Sequence, residues 1–116
     1  MERATAASIL PRMPESSEVA PKAVSEALAS GAMLIDVREK SEHDDMRIPG
    51  SVLIPLGELP ARLAEVPTDR DVYVHCRMGG RSARAVDYLR TFGRPKSYNV
   101  TGGIEAWEEA GLPVER

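Results

Sequence analysis

Covalent chemistry at neutral pH points first to one side chain in this sequence. Cys76 is the only cysteine among 116 residues, and it stands in the run Val72-Tyr73-Val74-His75-Cys76-Arg77-Met78-Gly79-Gly80-Arg81-Ser82. The reactive form of a cysteine is the thiolate, whose pKa of about 8.5 falls beside arginines or at a helix N-terminus. Arg77 and Arg81 bracket the turn, and a planar guanidinium fork suits an oxyanion. Gly79 and Gly80 lack a Cβ, so the backbone around Met78 can take unusual φ/ψ values and approach a sulfur atom closely. A solitary cysteine is ordinarily a small buried apolar residue. One set between a strand and a Gly-Gly turn, with an arginine on either side, reads instead as a nucleophile. The backbone N–H groups of residues 77–81 are then the donors that meet the developing charge.

Other polar residues are placed around this centre. Asp36 and Arg38 close a second apolar run, and we expect them to pair with loop backbone or with each other and support the loop's shape. Ser82 is expected to cap the following helix or to be its first residue. His75 alternates away from Cys76 in strand geometry, which makes it a poor general base. His43 lies in a charged stretch and reads as plain surface. One cysteine and two distant histidines do not make a zinc site, and neither a metal nor a cofactor is expected.

The elements needed to hold these residues are readable in outline. Met33-Leu34-Ile35-Asp36-Val37 is a near-continuous apolar run, as in a strand of a parallel sheet buried on both faces. Val72 to His75 is a second such strand, Ser51 to Ile54 a short third, and Ser97 to Val100 a last one. Glu18-Val19-Ala20 is a candidate edge strand. Helical spacing runs from Pro21 to Gly31, from Ser82 through Ala85, Val86, Leu89 and Phe92 to Gly93, and from Gly103 through Ile104 and Trp107 to Gly111. Trp107 reads as core. A short helix is expected over Gly57 to Glu65, with Pro60 in its first turn. Arg38 to Arg47 reads as a charged surface loop with room for one helical turn. Strands alternating with helices argue an α/β fold with a mostly parallel sheet of about five strands and helices on both faces. Ligands of such sheets bind beyond the carboxyl ends of the strands, where Cys76 sits.

The totals agree with one domain. With 42% hydrophobic and 28% charged residues the composition is that of an ordinary globular chain. No apolar stretch approaches the roughly 18 residues of a membrane helix, so no membrane partner is expected. A net charge of -3 argues against a nucleic-acid surface. A lone cysteine gives no sign of an oxidising compartment. The mildly apolar stretch Ala4 to Leu10 is short and stopped by Pro11, so it is not read as a signal peptide, and the expected location is the cytoplasm. Residues 1–18 read as a mobile tail and 19–116 as the domain.

Four segments, in order, resemble the rhodanese (sulfurtransferase) family in its single-domain form. Leu34-Ile35-Asp36-Val37-Arg38 is similar to the family's D-V-R segment and Ile48-Pro49-Gly50-Ser51-Val52 to its I-P-G-A-x segment. Cys76-Arg77-Met78-Gly79-Gly80-Arg81-Ser82 is similar to its C-R-x-G-x-R-S loop, and Thr101-Gly102-Gly103-Ile104-Glu105-Ala106-Trp107 with Gly111-Leu112-Pro113 to its closing segment. The family often has Gly-His where this chain has Met46-Arg47. The resemblance spans about residues 19–115. It implies a rhodanese-like fold and a persulfide on Cys76, filled from a small-molecule donor such as thiosulfate or a persulfide and emptied onto cyanide or a thiol, a protein acceptor included. It also implies donor contacts from Arg77, Met78, Gly79, Gly80 and Arg81, with Ser82, Asp36 and Arg38 in support.

Two other functions are weighed against this one. Cysteine phosphatases that share the fold have one residue more between cysteine and arginine, which makes room for a tetrahedral phosphoryl group. The shorter loop here suits a single sulfur atom. A non-catalytic docking or regulatory module is the other alternative, and such modules commonly lose the cysteine that this chain keeps.

Overall fold

The computed structural model describes residues 17–116. Most of the expected tail, including Ala4 to Leu10, lies outside the described residues. Strand β1 (Glu18–Val19) starts at a residue that the sequence assigns to the tail. Helix α1 (Pro21–Ala29), strand β2 (Met33–Asp36), helix α2 (Lys40–Asp45) and strand β3 (Val52–Leu53) follow. Next come strand β4 (Val72–His75), helix α3 (Gly80–Thr91), strand β5 (Ser97–Val100) and helix α4 (Gly103–Glu109). The five strands form one sheet in the order β1-β5-β4-β2-β3, and every neighbouring pair is parallel. The expected α/β architecture is present.

Period-two alternation sorts the strand residues onto two faces. Ile35, Val37, Val72, Val74 and Cys76 pack with Ala85, Val86 and Leu89 of α3 and with Leu59 and Val66. Leu34, Tyr73 and Val100 pack on the other face with Val24 of α1 and with Ile104 and Trp107 of α4. Trp107 is therefore core, as its spacing predicts. The central strand is β4, which leads directly into Cys76. Register sets Asp36 abreast of His75 and Asn99 abreast of both Val74 and Glu18.

Two elements differ from expectation. The Arg38–Arg47 segment contains a six-residue helix, α2, rather than a loop with at most a turn. It has no apolar face for periodicity to reveal. Its start is held by a capping box in which Glu39 and Glu42 each accept the other's backbone N–H. The helix expected over Gly57 to Glu65 is instead two 3-10 turns, Leu56–Glu58 and Leu63–Glu65. Pro60 has no N–H to return to the preceding turn, so the continuous ladder is lost there.

Candidate active site

Cys76 sits just past the carboxyl end of β4 and is only 2% exposed. The chain then turns back through Gly79, whose φ of 113° lies in the left-handed region that an L side chain rarely takes. This turn brings the start of α3 round the sulfur. Cys76 Sγ accepts from the N–H of Gly79 at 3.1 Å and from the N–H of Ser82 at 3.4 Å. The Ser82 hydroxyl lies 3.3 Å from the same sulfur. Burial pushes the Cys76 thiol up, but donors from Ser82, Gly79 and Met78 outweigh it and hold the thiol below its ordinary value. Each of those bonds favours the anion over the thiol. The reactive form is thus prepared by a ring of donors, and the sulfur's hydrogen-bond partners among the described residues include neither a histidine nor a carboxylate.

Ser82 plays a different part from the expected cap. Helix α3 begins two residues earlier, at Gly80, with Gly79 as its N-cap. Ser82 therefore faces inward from the first turn, and its hydroxyl donates to Asn99 Oδ1 at 2.6 Å. Asn99 Nδ2 donates to the Gly79 carbonyl at 3.2 Å and to Glu18 Oε2 at 3.0 Å. These two acceptors fix the orientation of the amide, so its oxygen must face Ser82. The single hydroxyl proton has two possible acceptors, Asn99 and an ionised Cys76. Asn99 was missed in the sequence, although an asparagine inside a strand is a usable signal because strands are depleted in it.

The loop is also braced from below. Ile104 N–H donates to the Cys76 carbonyl at 2.9 Å and Glu105 N–H to the Arg77 carbonyl at 3.2 Å. A Cβ on Gly103 would stand 2.5 Å from both carbonyl oxygens, so only glycine lets α4 start there. The sequence shows Gly102-Gly103 as a turn but not what it touches.

Both loop arginines are paired. Arg81 makes a two-pronged bond to Glu42 of α2, Nη1 to Oε1 at 2.8 Å and Nη2 to Oε2 at 3.0 Å. That guanidinium, ahead of any other cause, holds the Glu42 carboxyl down at about 2. Arg77 Nε meets Glu105 Oε2 at 2.7 Å on the open surface. Met78, at the tip of the loop, is 67% exposed. Gly80 is the first residue of α3 and has open space where a Cβ would stand.

Asp36 and Arg38 do pair with each other. Asp36 Oδ1 accepts from the backbone N–H and Nε of Arg38, both at 3.0 Å, and Oδ2 accepts from Nη2 at 2.8 Å. Arg38 Nη2 also reaches the Met46 carbonyl at 2.6 Å, so the segment this pair shapes is the one that carries Glu42. His43 is not plain surface. Its Nδ1 lies 2.9 Å from Asp36 Oδ2, because α2 folds its inner side over that buried carboxylate. His75 is fully buried on the face of the sheet opposite Cys76. Its Nδ1 lies 3.1 Å from the Cys76 carbonyl, an acceptor, and its Nε2 is 3.8 Å from Asp36 Oδ2. Burial lowers the His75 pKa and keeps the ring neutral. Among the described residues no three His, Cys, Asp or Glu side chains gather as a metal-holding group.

Comparison with known proteins points to one family. The family model described as Rhodanese-like domain matches residues 20–110. A sulfurtransferase of Allochromatium vinosum is 37% identical over 100 residues, covering 84% of this chain and 94% of that protein. The adenylyltransferase and sulfurtransferase of Arabidopsis thaliana is 33% identical over 113 residues, covering 82% of this chain but only 24% of its own length. Among solved structures, a rhodanese-related protein from Thermoplasma volcanium superposes with a TM-score of 0.78 at 33% identity, over 84% of this chain and 96% of that one.

Proposed function

Because the chain belongs to the rhodanese-like domain family, we propose that it is a sulfurtransferase in which Cys76 carries sulfane sulfur as a persulfide. The observation that supports this most is the ring of donors on Cys76 Sγ from Gly79 and Ser82. The Cys76 thiolate attacks the outer sulfur of a donor such as thiosulfate. A new S–S bond forms as the donor's own S–S bond breaks, and sulfite leaves with its electron pair. The backbone of residues 77–81 receives the outer sulfur of the persulfide, where fixed dipoles need little reorganisation to meet the charge. Cyanide or a thiol then takes that sulfur and returns Cys76 as the thiolate. Splitting the transfer into two displacements is the gain of a covalent carrier.

A second reading, relay of the sulfur to a protein acceptor, draws on Met78. A long apolar side chain exposed at the loop tip offers a partner a contact beside the reactive sulfur. Turnover tests the first reading. The parent is expected to make thiocyanate from thiosulfate and cyanide, and Cys76→Ser is expected to make none above the uncatalysed rate. Thiocyanate production by Cys76→Ser at the parent's rate would contradict the assignment.

A further inference from the structure

We propose that Glu42 is a specificity-determining residue that holds Arg81 as its own counterion and so turns the Cys76 loop away from dianionic donors and toward persulfides. The proposal rests on the sulfur-transfer reading and names the donor class for it. Thiosulfate brings two negative charges to a thiolate, and a chain of net charge -3 attracts it only through a local field. Arg81 is the obvious source of that field. Its guanidinium senses the charge of Cys76, yet its Nη1 and Nη2 each donate to the Glu42 carboxylate, which offsets its charge. The bond is two-pronged and charge-assisted, the strong kind. Arg77 is paired more loosely, by a single bond from its Nε to Glu105 on the open surface.

The surroundings add to the effect. A groove of about 290 Å³ beside the loop is lined by Glu42, Asp45, Glu105 and Glu108 against Arg38 and Arg77. Arg38 is itself neutralised by Asp36. A dianion that approaches through this groove meets four carboxylates, and it must compete with Glu42 for the Arg81 guanidinium. A persulfide R–S–SH carries no charge in its protonated form. Attack by the Cys76 thiolate on its outer sulfur forms the Cys76 S–S bond, breaks the donor S–S bond and releases R–S⁻ with the electron pair. Charge is conserved and no arginine is needed.

Glu42 can be altered without undoing α2. Glutamine at this position still accepts the Glu39 N–H and so retains the capping box. Two ratios are read for the parent and for Glu42→Gln. One is kcat/KM with thiosulfate over kcat/KM with the persulfide of 2-mercaptoethanol. The other is the rate of Cys76 alkylation by iodoacetate, an anion, over that by neutral iodoacetamide. In Glu42→Gln both are expected to rise, the first about tenfold at low salt, and the gain should shrink as salt screens it. Adding Arg81→Ala should abolish the gain, and Glu42→Asp, which keeps the charge, should resemble the parent. The parent alone gives a further check, since its alkylation ratio should not exceed that of a free small thiol. Ratios that stay within twofold or fall in Glu42→Gln would overturn the proposal, as would a parent ratio well above that of the free thiol. A parent that takes sulfur from neither donor would defeat the sulfur-transfer reading instead, while the alkylation ratios would still decide the role of Glu42.

Discussion

At Cys76 Sγ, burial opposes ionisation while hydrogen bonds from Ser82, Gly79 and Met78 favour it, and the hydrogen bonds win. Removing one of them should move the balance in a known direction. In Ser82→Ala the thiolate loses a donor, so the pH midpoint for alkylation by iodoacetamide should rise by about one unit. An unmoved midpoint would mean that the hydroxyl stays on Asn99 even when Cys76 is ionised. Arg81 acts on charge rather than on the sulfur. Arg81→Ala should weaken use of thiosulfate far more than alkylation by a neutral probe, because it leaves the Glu42 carboxylate unpaired beside the loop, and salt should relieve part of that loss. Equal losses toward both reagents would make Arg81 a loop brace. Cys76, Arg81 and the glycines were legible in the sequence because they are neighbours in the chain. Glu42 and Asn99 were not, because they reach the loop from 39 residues before Arg81 and 17 residues after Ser82. His43 was misjudged for a related reason, since its partner is a carboxylate in a different element.

Two elements support the site, and each can be tested by itself. Helix α4 starts against the carbonyls of Cys76 and Arg77, where Gly103 leaves no room for a Cβ and has a φ of 64°. Gly103→Ala should cost at least about 1–3 kcal/mol through backbone strain alone, read as a lower urea midpoint, and should shift the alkylation pH profile as the loop is displaced. A variant with the parent's midpoint and profile would show that the contact can relax. Strand β2 ends in the buried Asp36–Arg38 pair. Burial raises the Asp36 carboxyl, but the hydrogen bonds from Arg38, with a further one from His43, bring it below its usual range. A carboxylate with a lowered pKa in the fold stabilises it above the unfolded pKa of about 3.9, and that contribution is lost as pH falls through the folded value. Asp36→Asn also leaves Arg38 buried without its counter-charge, so it should cost about 3–5 kcal/mol at pH 7. The difference from the parent should narrow in acid. The strands and the longer helices were readable because burial writes a period into them. Helix α2 was not, since its charged faces carry no such period and its cap uses glutamates.

Taken whole, the molecule places its reactive cysteine at the end of the central strand of a five-stranded parallel sheet. The alternation of strands and helices makes this architecture legible in the sequence. The two-residue edge strand was legible only as a candidate. Thr101 N–H donates to the Val19 carbonyl, and Glu18 holds Asn99 and Thr101 through its carboxylate. A chain started at Pro21 should therefore unfold at lower urea than one started at residue 17, and its alkylation profile should shift through Asn99. Equal midpoints would show that β1 adds nothing to the sheet. The central claim, that Cys76 carries the sulfur, is tested most directly by the mass of the intact protein. After incubation with thiosulfate or the persulfide of 2-mercaptoethanol, the parent should gain the mass of one sulfur atom. Cyanide should remove it, and Cys76→Ser should never acquire it. A parent that gains no sulfur from either donor, or a Cys76→Ser protein that gains it as readily, would contradict the account.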